Sequence, residues 1–234
     1  MRVLALDTAT EACSAAVLTD TDLFGIFEEV GRGHAERILY MVDAVLREAG
    51  LVLGMLDGIA ASIGPGAFTG VRISVSVAQG LAFGAQLPVV AVTTLEALAL
   101  QAIRGGADQA LACLDARMGE IYWGCFQADA ERGLRACGTP AVGAATRVSV
   151  PFTGPFHGIG RGFGAYPVLQ ALPGVIVTPG ACAALPDARD MARLGAIRLA
   201  AGEGLDPAEL APMYLRDKVA LTEAERIAAK QALR

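Results

Sequence analysis

Three short apolar runs open the chain, with only tight polar turns between them. Residues 3–6 (VLAL) read as a buried strand, 13–18 as a second and 23–30 as a third. The connections Asp7-Thr8-Ala9-Thr10 and Thr19-Asp20-Thr21-Asp22 are turn-rich and brief, so the three strands form an antiparallel meander. The period then changes. Ile38, Leu39, Val42, Val45, Leu46 and Ala49 fall on one helical face, and Gly50 is a suitable stop. Residues 58–63 read as a buried strand, about 69–83 as a helix, 88–93 as a strand, and 94–103 as a helix capped by Thr94. The resulting order is βββαβαβα.

Gly105-Gly106 reads as a hinge. Residues 110–115 and 120–127 read as two strands across the turn Asp115-Ala116-Arg117-Met118-Gly119-Glu120, where Arg117 can pair with Asp115 or Glu120. From 128 to 180 the chain is rich in Gly, Pro and Thr and reads as irregular. A helix lies within 186–202, a helical turn at 206–210, and a charged tail follows.

Composition limits the function classes. Hydrophobic residues make up 54% of the 234 residues and charged residues 18%, enough apolar material for a sizeable core. The net charge of −5 does not fit an autonomous nucleic-acid binder, which shows a basic footprint. The tail is locally basic (Arg216, Lys218, Arg226, Lys230, Arg234), but Asp217, Glu223 and Glu225 are interspersed, as on a solvated helix. The cysteines Cys13, Cys113, Cys125, Cys137 and Cys182 form no CxxC pair and are odd in number, so neither a disulfide framework nor a zinc site is indicated. No signal-peptide pattern or uninterrupted bilayer-length run is present, and the expectation is a cytoplasmic chain without a membrane partner.

The stretch GPGAFTGVRISVSVAQGLAFG (64–84) raises a choice between a phosphate loop and a turn that launches a helix. It lacks the GxxxxGK[ST] pattern, and in a GxGxxG frame Thr69 replaces the third glycine. Pro65 also removes a backbone donor. The structural turn is therefore preferred. In the helix, Gly70, Ser74, Ala78 and Ala82 form one row of small residues, and Ser76, Gly80 and Gly84 another. Such rows let a neighbouring backbone approach closely. Arg72 is its only ionised side chain, and a helix this apolar all round must be covered. One face can lie on its own sheet; the other meets either a helix of this chain or a partner.

Asp7, which ends the first strand, is the best candidate for a catalytic carboxylate, or it caps its own turn. The turn's Thr8 and Thr10 are weaker cofactor-binding candidates, and Ala9 stands where a glycine would let backbone reach a phosphate. His34 has Ile38 at i+4 and His157 has no carboxylate near it in sequence, so no metal site or catalytic triad is legible. The βββαβαβα block with its early Asp-Thr turn fits the actin/hexokinase class of α/β fold, related to ribonuclease H, in two lobes. The first covers 1–104 and is completed by 205–234; the second, smaller one covers 105–204.

Four stretches carry a closer resemblance: VLALDTATEACSAAVL (3–18), GPGAFTGVRISVSVAQGLAFG (64–84), LDARMGEIYW (114–123) and PMYLRDKVA (212–220). Together they resemble the bacterial TsaB family, also called YeaZ, related to the TsaD proteins once classed as glycoproteases. The resemblance implies a non-catalytic scaffold in the transfer of a threonylcarbamoyl group to adenosine 37 of ANN-decoding tRNAs. It implies a TsaD-like catalytic partner that carries the ATP and the metal, a small TsaE-like ATPase, only indirect contact with tRNA, and a homodimer when the partner is absent. It also implies docking through the first two helices, for which Ile38, Met41, Val45, Arg72, Ser74, Val75, Ala78 and Leu81 are the expected interface residues. The competing readings are an autonomous actin-like ATPase or kinase, and a glycoprotease-type metallopeptidase.

Overall fold

A computed structural model describes residues 1–216. The meander forms as β1 Val3–Asp7, β2 Ala12–Leu18 and β3 Leu23–Glu29. It is followed by α1 His34–Glu48, β4 Gly58–Ser62, α2 Phe68–Ala85, β5 Val89–Val92 and α3 Thr94–Arg104, the order read from the sequence. The first sheet runs β3-β2-β1-β4-β5, antiparallel through the meander and parallel across β1, β4 and β5.

The second sheet contains β6 Gln109–Arg117, β7 Glu120–Asp129, β8 Gly133–Ala136, β9 Ala141–Ala144, β10 Phe156–Ile159 and β11 Val175–Ile176. Its order is β11-β10-β6-β7-β8, with β9 also paired to β7. Four of these strands lie in the region read as irregular. They have two to four residues each, too short to show alternation in a Gly- and Pro-rich context. Two further helices, α4 Arg161–Ala165 and α5 Ala188–Ala200, complete the set of α-helices among the described residues.

Alternation along β1 separates two cores. Leu4 and Leu6 face α1 and α2 with Val42, Val45, Val75 and Ala78. Val3 and Ala5 face the opposite way, into a core shared with α3, α5 and the second sheet, including Leu98, Met191, Leu194 and Phe126. A third core, with Leu111, Ile121, Phe156 and Phe163, covers the far face of the second sheet. The layers are thus α1 and α2, first sheet, α5 and α3, second sheet, and a cover of α4 and short turns.

Two helices pack across the sequence-derived lobe boundaries. Helix α3, placed in the first lobe, packs on β6, β7, β8 and β10, while α5, placed in the second, packs on β1, β2 and β4. Gly105-Gly106 does not separate lobes; it ends a helix already seated on the second sheet, with Gly105 at its C-cap and Gly106 at φ +99°. The cap of α3 is also one residue earlier than expected. Thr93 accepts from the Glu96 N–H while the Glu96 carboxylate accepts from the Thr93 N–H, a reciprocal capping box. The Thr94 hydroxyl instead donates to the Pro65 carbonyl at 2.5 Å. Part of the 205–234 completion of the first lobe is described: the Leu205 and Val89 backbones bond each other, and Met213 N–H donates to the Ile63 carbonyl. Residues 217–234 and the charges assigned to them lie outside the described residues.

Candidate functional site: a cleft between the sheets and a bare helix face

A cleft of about 1110 Å³ opens at the ends of β1 and β6. Its walls are the turn 8–11, the loop entering α1, the start of α2, the hairpin 114–118 and the segment 213–216. The glycines that lead into α2 act here as spacers. A Cβ on Gly66 would stand 2.1 Å from the Ala9 carbonyl oxygen, and one on Gly70 would stand 2.1 Å from that of Thr8. The Ala67 N–H donates to the Ala9 carbonyl at 2.7 Å, and the Thr8 hydroxyl donates to the Gly70 carbonyl at 2.7 Å. The turn 7–10 and the start of α2 therefore satisfy one another.

Of the three weak cofactor candidates, two line this cleft. Thr8 is buried with its hydroxyl engaged, and the half-buried Thr10 accepts from the Ala12 N–H while its carbonyl meets His34 Nε2 at 2.9 Å. Asp7 lies beneath the cleft, fully buried on the α5 side of the first sheet. Burial pushes its carboxyl up to about 6 against the Ala9 N–H on Oδ1 and the nearby Ser62 hydroxyl, while Asp187 adds to the rise. Oδ2 and the Ser62 Oγ have no partner at hydrogen-bonding geometry. Among the described residues, no three His, Cys, Asp or Glu side chains gather into a group that could hold a metal ion.

Ion pairs ring the mouth. Arg117 pairs with Glu11 at 2.9 Å and Asp115 at 3.1 Å, and Arg161 pairs with Glu29. The expected Arg117–Glu120 alternative is not formed, because Glu120 is held by Arg216 at 2.6 Å. Met118 and Gly119, the two loop residues between the paired Arg117 and Glu120, sit at φ +58° and +80°, as a tight two-residue hairpin requires, and Arg117 stands at +61° beside a register shift in its strand. At the lip, the Arg72 guanidinium lies 3.4 Å from the Phe68 ring centroid and 5.5 Å from that of Tyr214.

The residues expected at a partner interface divide by face. Ile38, Met41, Val45, Ser74, Val75 and Ala78 are buried within the chain's own first lobe, so as contact residues they are corrected. Their periodicity marked the stripe that seats each helix on its sheet, which is the stronger hydrophobic signal. Arg72 is exposed and Leu81 half-buried. The two small-residue rows of α2 split the same way. Gly70, Ser74, Ala78 and Ala82 lie on the sheet; Ser76, Gly80 and Gly84 face solvent, and a Cβ on Gly80 or Gly84 would meet nothing within 4 Å. Phe83 is 57% exposed on the same helix, and Leu39 and Tyr40 are 52% and 78% exposed on α1, which packs against α2. Sequence reasoning missed Tyr40 and Phe83, and it placed Leu39 on the apolar face that seats α1, whereas Leu39 is exposed.

The family model described as "TsaD: tRNA N6-adenosine threonylcarbamoyltransferase" matches residues 25–157. The "tRNA threonylcarbamoyladenosine biosynthesis protein TsaB" of Escherichia coli is 40% identical, over 94% of this chain and 96% of that protein. The chain belongs to the TsaB family. The protein of the same description from Haemophilus influenzae is 47% identical over 53% of this chain and 52% of its own length. The solved structure of YeaZ from Pseudomonas aeruginosa superposes with a TM-score of 0.85 at 42% identity, covering 92% of this chain and 99% of that one. The two-sheet architecture is accordingly the actin-like, ribonuclease H-like two-lobed fold of these relatives. No helix among the described residues is long and apolar enough to cross a membrane.

Proposed function

We propose that this chain is a non-catalytic subunit of the machinery that installs threonylcarbamoyl on adenosine 37 of ANN-decoding tRNAs, docking a TsaD-like catalytic subunit on the solvent face of α1 and α2. One observation carries this reading: α2 turns a second row of small residues, Ser76, Gly80 and Gly84, bare to solvent with Phe83 exposed on the same helix, and α1, which packs against α2, exposes Leu39 and Tyr40. A partner helix can approach that floor closely and bury the apolar side chains around it. The self-satisfied turn 7–10 adds support, because its Ala9 carbonyl and Thr8 hydroxyl are already engaged by α2. ATP and metal belong to the partner in this reading, a TsaE-like ATPase completes the complex, and the same face makes the homodimer when the partner is absent.

The test is a drop-out reconstitution. TsaD-like and TsaE-like proteins, threonylcarbamoyl-adenylate synthase, threonine, bicarbonate, ATP and an ANN-decoding tRNA are combined with and without this chain. Modified adenosine is expected only when the chain is present, and Asp7→Ala should still support it. Gly80→Arg should abolish co-elution with the TsaD-like protein while melting like the parent. Normal docking by a folded Gly80→Arg chain would overturn the surface. A second reading, an autonomous ATPase, is favoured by the volume of the cleft, which suits a small-molecule ligand. Calorimetry of the isolated chain with magnesium-ATP separates the two, since tight binding would support the ATPase.

A further inference from the structure

Strand β7 brings two of the five cysteines face to face. Phe126 pairs with Ala136 in the antiparallel β7–β8 ladder, so the next pair outward is Cys125 and Cys137. The Cys137 N–H donates to the Cys125 carbonyl at 2.7 Å. Residues opposed in this way have Cα atoms about 5.5 Å apart in a hydrogen-bonded pair, inside the roughly 4.4–6.8 Å that a disulfide bridges. Directly opposed side chains also share a face. Cys125 lies in the outer core of the second sheet, and Cys137 packs against that core half-buried. Cys113 is on the same face, but it opposes Trp123 while Leu111 opposes Cys125. That places Cys113 one diagonal step from Cys125, about 7–8 Å away, and it is fully buried. All five thiols are free in this structure.

We propose that Cys125 and Cys137 form a cross-strand dithiol that a peroxide closes to a disulfide and a reducing thiol reopens. Cys137, the accessible member, attacks the peroxide; the O–O bond breaks, its sulfur becomes a sulfenic acid and one water leaves. The Cys125 sulfur, losing its proton, then displaces the sulfenic oxygen as a second water, and the S–S bond forms. Two thiols and one hydrogen peroxide thus give one disulfide and two waters. Burial holds the Cys125 thiol up at about 11, with neighbouring Cys137 adding to the rise, so its thiolate is scarce at neutral pH. Closure is therefore slow there and accelerates about tenfold per pH unit while the thiolate fraction is small. The staple ties β8 to β7. A Cβ on the first residue of β8, Gly133, would stand 3.3 Å from Ile197 of α5, so the bond fixes the sheet edge lying beside that helix.

The experiment treats the full folded chain with hydrogen peroxide, then maps thiols by intact mass and tryptic digestion. Arg132 and Arg135 lie between the two cysteines, so trypsin separates them and a surviving link is diagnostic. The expected result is the loss of two hydrogens, two fewer titratable thiols than the original five, and a Cys125–Cys137 cross-link reversed by dithiothreitol. Cys113→Ser and Cys182→Ser should retain the link. Cys137→Ser should lose it, and Cys125→Ala should leave a Cys137 sulfenic acid that dimedone captures. A link to Cys113, an intermolecular link, or over-oxidised Cys137 with no link would overturn the proposal.

Discussion

At Asp7 a carboxylate is held where water cannot reach it, with one oxygen bonded to the Ala9 N–H and the other without a partner. The folded chain keeps this proton to about pH 6, above the ordinary carboxylate range. Between the two values the folded state binds more protons than the unfolded one, so stability falls as pH rises through that window. The cost of ionised Asp7 at neutral pH is on the order of 3 kcal/mol, since each tenfold change in proton affinity is worth about 1.4 kcal/mol. Asp7→Asn keeps an acceptor for Ala9 and removes the charge. It is expected to raise stability by about 1–3 kcal/mol at pH 8 and by less than about 0.5 kcal/mol at pH 4, as read from urea midpoints at both pH values. An equal response at the two pH values would show that the carboxyl is not strained by ionisation. Gly66 and Gly70 make the opposite kind of site. A methyl at either would collide with a backbone carbonyl, so Gly66→Ala and Gly70→Ala should each cost about 3 kcal/mol or more, enough to lower the melting temperature by several degrees.

In helix α2 the same residue type has different work on its two faces. Gly80 faces solvent at φ below zero with open space around its Cα, so Gly80→Ala should stabilise the isolated chain by about 0.5–1 kcal/mol through helix propensity alone. If the bare row is a docking floor, the same substitution should weaken the TsaD-like complex; stability and binding then move in opposite directions, measured by melting and by calorimetric titration. The sequence showed both small-residue rows, but not which would be covered, because a row of Gly, Ser and Ala has no polarity to orient it. The α1 stripe was legible as a stripe, and it seats the helix on its sheet; the expectation of Ile38, Met41 and Val45 at an interface came from the family resemblance rather than from the spacing. Strands β1 to β7 were legible through apolar runs, whereas β8 to β11 were not. They are set by pairing to β7, β6 or each other rather than by their own composition.

The whole molecule is joined by an exchange of helices that no local pattern reports. Helix α3 leaves the first sheet to cover the second, and α5 returns from the second to cover the first, so one core contains side chains of both sheets. Arg104 of α3 and Asp190 of α5 are paired at 2.8 Å within this layer, with Asp190 buried. The ion pairs at the cleft mouth are more exposed, so Glu11→Gln should change stability by less than about 1 kcal/mol. A fragment of residues 1–104 has the first meander but lacks α5, leaving Val3, Ala5, Ala16 and Ala60 without their cover. Such a fragment is expected to be aggregated or unfolded, and the full chain to unfold in one transition. Far-ultraviolet circular dichroism, which follows both sheets, and the fluorescence of the lone Trp123 on β7 should then give coincident urea curves. Two separated transitions would mean that the lobes hold together independently, despite the core they share.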